Sequence, residues 1–117
     1  MKQVAVSQIT VEKNLSQNKL DALGVTKWPT WKKEVSTFDW SFPEQEIAYI
    51  LEGSCIITPT GTQNGGLPVS FSKGDLVTFP AGLKASWQVL APLHKHYQLD
   101  GNILTQTFKR IKAAIGL

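Results

Sequence analysis

Between Lys32 and Leu99, apolar residues alternate with polar ones in short runs punctuated by glycine and proline. That period of two is expected of strands with one buried face, joined by turns. Lys33-Val35-Thr37 and Lys32-Glu34-Ser36 read as the two faces of one strand, which continues through Phe38-Asp39-Trp40 and breaks at Ser41-Phe42-Pro43. Ile47 to Leu51 is apolar and rich in β-formers. Gly53 reads as a tight turn from it into a second strand, Cys55 to Thr58. Val69 to Phe71, Leu76 to Phe79, Ser86 to Leu90 and Lys95 to Leu99 complete the set, with turn signals at Pro59-Thr60-Gly61 and Gly65-Gly66. Many short strands at regular spacing predict an all-β barrel or sandwich.

The two ends read differently. Residues 3–11 alternate weakly through Val4, Val6, Ile9 and Val11, which predicts an edge strand. Residues 16–23 predict a short helix with Ser16 as N-cap and Gly24 as C-cap, and Trp28-Pro29-Thr30-Trp31 ends it. Residues 102–115 switch to a helical period, with Leu104, Phe108, Ile111 and Ile115 on one face. This C-terminal helix is expected to pack outside the barrel; a dimer element and a membrane-surface helix are the alternatives. One domain is expected over residues 1–117, with a barrel core at 28–99 and the helix at 101–117.

Composition narrows the function classes. At 42% hydrophobic and 18% charged residues the chain is an ordinary globular one. No apolar run approaches the roughly 20 residues of a membrane span. The opening MKQVAVSQITVEKN lacks a signal-peptide stretch, so a cytoplasmic protein is expected. Cys55 is the one cysteine, which excludes an intrachain disulfide. The net charge of +3 resides in Lys109, Arg110 and Lys112, and the remaining body is neutral. So short a basic tail argues against a nucleic-acid partner.

Residues 74–82 read GDLVTFPAG, and residues 46–53 read EIAYILEG. With WPTWKKEVSTFDW before them and HKHY after, these segments resemble the cupin superfamily, whose motifs are G-x5-H-x-H-x3–4-E-x6-G and G-x5-P-x-G-x2-H-x3-N. Glu46, Gly53, Gly74, Pro80 and Gly82 stand in the required register. The resemblance extends over residues 28–99. It points to the short cupins grouped with ureidoglycine aminohydrolase and the ethanolamine-utilisation Q protein, and in particular to small members whose function is not established. It implies a jelly-roll barrel, often paired as a homodimer, and a metal held by three histidines and Glu46. The histidine places, however, carry Trp40 and Phe42 (or Asp39 and Ser41) and Ala85, and the closing asparagine is Val89. A lone carboxylate beside aromatic residues is a poor transition-metal ligand set, so neither metal nor other cofactor is expected.

The candidate site follows from which side chains share a face. Glu46 alternates with Ala48 and Ile50, and the family register places that face inside. A carboxylate there needs a cation or donors, and otherwise becomes a general acid or base. Trp87 lies two residues beyond Ala85, so with Trp40 it is expected to face inward, either filling space or walling a pocket. His94 and His96 share one face of a strand, and Lys95 and Tyr97 share the other. If the latter is the interior, Lys95 is the natural partner of Glu46. Cys55 reads as a small buried hydrophobe or a minor pocket residue. Two pocket hypotheses result: a binding module for a small polar or anionic metabolite lined by Trp40, Glu46, Trp87, Lys95 and Tyr97, and a metal-independent enzyme with Glu46 as acid/base and Lys95 or Tyr97 as electrostatic partner. Kinship implies ureide or amino-compound chemistry for the second. A third hypothesis is a structural or partner-binding role for the C-terminal helix.

Overall fold

The structure, a computed structural model, describes residues 8–61 and 66–99. The expected C-terminal helix lies outside the described residues, as does most of the expected strand at 3–11. The architecture is all-β and cupin-like. Strands β1 (Thr10–Glu12), β2 (Thr30–Lys33), β3 (Ser36–Ser41), β4 (Glu46–Pro59), β5 (Val69–Ser72), β6 (Leu76–Phe79) and β7 (Lys84–Leu99) form one antiparallel seven-stranded sheet. Helix α1 (Gln17–Leu23) begins at Ser16, whose side chain accepts the Lys19 N–H, and ends at Gly24 in the left-handed conformation, as its capping residues predict.

Two long strands organise the sheet. β4 and β7 pair along nearly their whole length, from Glu46 opposite Leu99 to Pro59 opposite Ala85. The first half of β4 also pairs with β6, and its second half with β5. The second half of β7 pairs with β2, and its first half with β3. Each long strand therefore serves both halves of a rolled sheet, whose interior holds Phe42, Ala48, Ile50, Ile57, Phe71, Phe79, Leu83, Trp87 and Val89.

These continuous strands correct the expected pattern. Gly53 does not turn the chain between two strands; it lies within β4, and Pro92 lies within β7. The pairing slips between Ile50 and Cys55, which marks a β-bulge. Before the slip the inward residues of β4 are Glu46, Ala48 and Ile50; after it they are Cys55, Ile57 and Pro59. Across the slip β4 advances five residues, from Ile50 to Cys55, while β7 advances six, from Lys95 to Val89. The odd count reverses the face of β4, and β7 keeps Ala85, Trp87, Val89, Leu93 and Lys95 buried throughout. The bulge is thus what lets Glu46 and Ile57 both face the interior.

A second correction concerns residues 32–40. They form two strands, broken at Glu34–Val35, where the Ser36 hydroxyl donates to the Glu34 carbonyl at 2.8 Å. Val35 is left 60% exposed. Simple alternation would have carried one face from Lys33 through Val35 to Thr37. Instead Trp31 and Phe38 are brought together, their ring centroids 6.4 Å apart. Asp75 orders the turn after β5 by accepting the Ser72 N–H at 2.9 Å and the Lys13 ammonium at 2.8 Å.

Candidate ligand-binding site

The site is built around one buried ion pair. Lys95 Nζ lies 2.5 Å from Glu46 Oε2, and the two side chains retain 6% and 7% of their exposure. β4 and β7 bring them together across the sheet, because Ala48 pairs with Tyr97 and Ile50 with Lys95. Two charges this dry are tolerated only when each satisfies the other. Aromatic rings complete the ammonium's surroundings. Nζ stands 4.9 Å from the centre of Trp31, 5.1 Å from Trp87, 5.8 Å from Phe79 and 5.9 Å from Tyr97. The negative faces of such rings attract a cation.

Beside the pair opens a cavity of about 290 Å³. Glu46, Lys95 and Tyr97 reach it, with Trp31, Phe38 and Trp87 as walls and Trp40 and Leu99 at its edge. Of the residues expected at the site, Glu46, Trp87, Lys95 and Tyr97 therefore meet there. Trp40 joins them at the mouth and not in the interior: it is 52% exposed, and opposite Ala85 it stands where the barrel opens. Trp87 is 2% exposed. It stacks on Phe38 with centroids 5.7 Å apart and an interplanar angle of 14°. Its indole Nε1 is buried with no hydrogen-bond partner among the described residues, a condition that costs about 1–3 kcal/mol.

Trp31 and Phe38 are site residues that strand alternation misses. Their signal is pairwise: Trp31 lies opposite Lys95 and Phe38 opposite Trp87. Neither pairing is readable without knowing which strands are neighbours.

Cys55 is corrected out of the site. It is 1% exposed, packs in the apolar core and does not reach the cavity. Burial pushes its thiol from 9.0 up to about 12, with the Lys95 charge pulling weakly the other way. A thiol is a poor nucleophile until it ionises. Native protein at pH 8 is therefore expected to resist iodoacetamide, while urea-unfolded protein is alkylated at least about a hundredfold faster; equal rates would place the thiol at the surface. Because the folded value is the raised one, the protonated thiol's contribution to stability is full below pH 9 and drains away as pH rises toward about 12.

His94 and His96 lie on the opposite, outer face of β7 from Lys95, both half-buried. The His96 Nδ1 donates to the Trp28 carbonyl at 2.9 Å. Among the described residues, no three His, Cys, Asp or Glu side chains gather to hold a metal. At the places of the family's histidines, Phe42 stacks on Phe79 with centroids 4.8 Å apart, and Ala85 is buried in the core. The remaining carboxylate, Glu46, already holds an ammonium. This donor set does not fit the cupin metal.

Comparison with known proteins agrees with the fold. A family model described as the EutQ-like cupin domain matches residues 20–97. A solved DUF861-family protein from Thermotoga maritima is 47% identical, over 79% of this chain and 99% of its own, with a TM-score of 0.73. The EutQ protein of Clostridium difficile is 27% identical with a TM-score of 0.52; the match covers 62% of this chain and 55% of that one. A DUF1255 protein from Acidithiobacillus ferrooxidans is 18% identical with a TM-score of 0.52, a likeness of fold alone. Curated proteins yield no match. Among the described residues no helix is long and apolar enough to cross a membrane.

Proposed function

The chain belongs to the EutQ-like cupin domain family, and from that premise we propose that it binds a small polar metabolite in the aromatic cavity, with the Glu46–Lys95 pair in the place of a metal. One observation carries this reading: a buried ion pair faces a cavity of about 290 Å³ with aromatic walls. Ligand sites combine largely apolar walls with a few convergent polar groups, and this volume suits a molecule of modest size. The pair spends one ammonium hydrogen and one carboxylate oxygen on itself. An ammonium has three donors and a carboxylate two oxygens, so hydrogen-bonding capacity remains for a ligand. A second reading, a metal-independent enzyme acting on an amino compound with Glu46 as acid/base, draws on the same carboxylate oxygen, the one not bonded to Lys95. It requires turnover that disappears with Glu46→Gln.

The rim tryptophan offers the cleanest test. A metabolite panel screened by thermal shift is expected to yield ligands that quench tryptophan fluorescence. Trp40→Ala removes a half-exposed ring, so its melting temperature is expected to stay within about 3 °C of the parent. Its affinity for those ligands is expected to fall about tenfold, through loss of stacking area. Unchanged affinity would move the binding site away from this cavity.

A further inference from the structure

The charges of the cavity narrow the ligand class. Among its lining residues the charged ones are Glu46 and Lys95, and they neutralise each other at 2.5 Å. Neighbouring charges belong elsewhere. Lys33 lies over the Phe38 ring at 5.0 Å but lines a different surface cavity together with Glu34 and Glu52. Asp39 and Lys84 line another, and they are of opposite sign. The ion pair thus offers a ligand one donor group and one acceptor group side by side, and among the described lining residues the charges balance.

Resting on the binding reading above, we propose that the cavity is selective for a flat, neutral ligand with an amide head, such as an aromatic carboxamide or a lactam, and discriminates against simple carboxylates and simple amines. The amide carbonyl would accept from Lys95 Nζ. The amide N–H would donate to Glu46 Oε1, the oxygen not taken by Lys95. Both remaining polar groups of the pair are then satisfied without adding charge. A carboxylate in the same place would set a second anion against Glu46 with a single ammonium to share, and an amine would do the same to Lys95. Such like-charge juxtaposition is how a site rejects the wrong partner. The aromatic body is argued from the walls: Trp31, Phe38 and Trp87 present ring surface to the cavity, and ring pairs favour stacked or edge-on contact.

The test uses three probes of nearly one shape: benzamide, benzoate and benzylamine. Their dissociation constants are measured by calorimetry on the full-length protein at pH 7. Benzamide is expected to bind at least tenfold more tightly than either charged probe. Glu46→Gln, its fold checked by circular dichroism, leaves a net positive site and is expected to reverse the order, with benzoate tighter than benzamide. Benzoate or benzylamine matching or exceeding benzamide in the parent protein overturns the neutral-ligand proposal while leaving the pocket reading intact. No binding of any probe at about 20 mM, above the dissociation constant that ordinary ligand efficiency gives a probe of about nine non-hydrogen atoms, overturns both.

Discussion

Lys95→Met is expected to destabilise the protein by about 3–5 kcal/mol, and Glu46→Leu by a similar amount, whereas the two together are expected to lie within about 2 kcal/mol of the parent. The reasoning rests on burial. Removing one partner leaves the other charge among aromatic rings with only a few per cent of its side chain exposed, too little for water to replace the lost partner. Removing both leaves an apolar site, and methionine and leucine nearly conserve the volumes they replace. Lys95→Met also surrenders the attraction between the ammonium and the rings of Trp31 and Trp87, 4.9 and 5.1 Å away. Urea unfolding of the four proteins at pH 7 closes the double-mutant cycle. Single-variant losses below about 1 kcal/mol would mean that the pair is effectively solvated, and an additive cycle would mean that the two charges do not interact. The double variant carries the functional meaning. If it is stable but binds no member of the metabolite panel, the ion pair is retained for recognition, since an apolar pair would serve the fold equally well.

The pairing of Glu46 with Lys95 was legible because each residue sits in a strand that alternates cleanly on its own side of the bulge. Ala48 and Ile50 declare the face of Glu46, and Tyr97 declares that of Lys95. The glycine–proline frame supplies the register that turns the Glu46 face inward, whereas the face of Lys95 is decided only by the pairing of β7 with β4. Trp31 and Phe38 were hidden by the break at Glu34–Val35: a slip between strands reverses the face of every later residue, and nothing in Lys-Lys-Glu-Val-Ser-Thr marks it. Phe42 reads as part of the strand break at Ser41-Phe42-Pro43, yet it fills the barrel between Phe79 and Trp87. Periodicity cannot anticipate that a loop residue lands in the core. Gly53 misleads for a related reason. It is a strong breaker signal, yet it lies inside β4 and faces Pro92 of β7 across one bulge, so two long strands pass through positions where four short ones are expected.

That facing pair makes Gly53→Ala the most damaging added methyl group among the described positive-φ glycines. A Cβ on Gly53 would stand 2.3 Å from the Pro92 carbonyl oxygen and 2.8 Å from that of Ala91. Both are backbone atoms of a paired strand, so no rotamer can move them aside. The residue also has φ of +96°, a conformation that strains any other residue by about 1–3 kcal/mol. Gly74→Ala isolates that second effect: its φ is +92°, and its added methyl would meet nothing within 4 Å. Gly74→Ala is therefore expected to cost about 1 kcal/mol, and Gly53→Ala at least about 3 kcal/mol, a fall in melting temperature of roughly 10–20 °C. Equal losses for the two would show that β4 and β7 do not approach so closely at the bulge. The consequence reaches the site, because the slip at Gly53 is what brings Glu46, Ala48 and Ile50 onto the same interior as Cys55 and Ile57. If the strands part there to admit a methyl group, the pairing of Glu52 with His94 and then that of Ile50 with Lys95 are the next contacts along β4 to loosen. Gly53→Ala is accordingly expected to weaken benzamide binding even at temperatures where the protein remains folded, while Gly74→Ala leaves it unchanged.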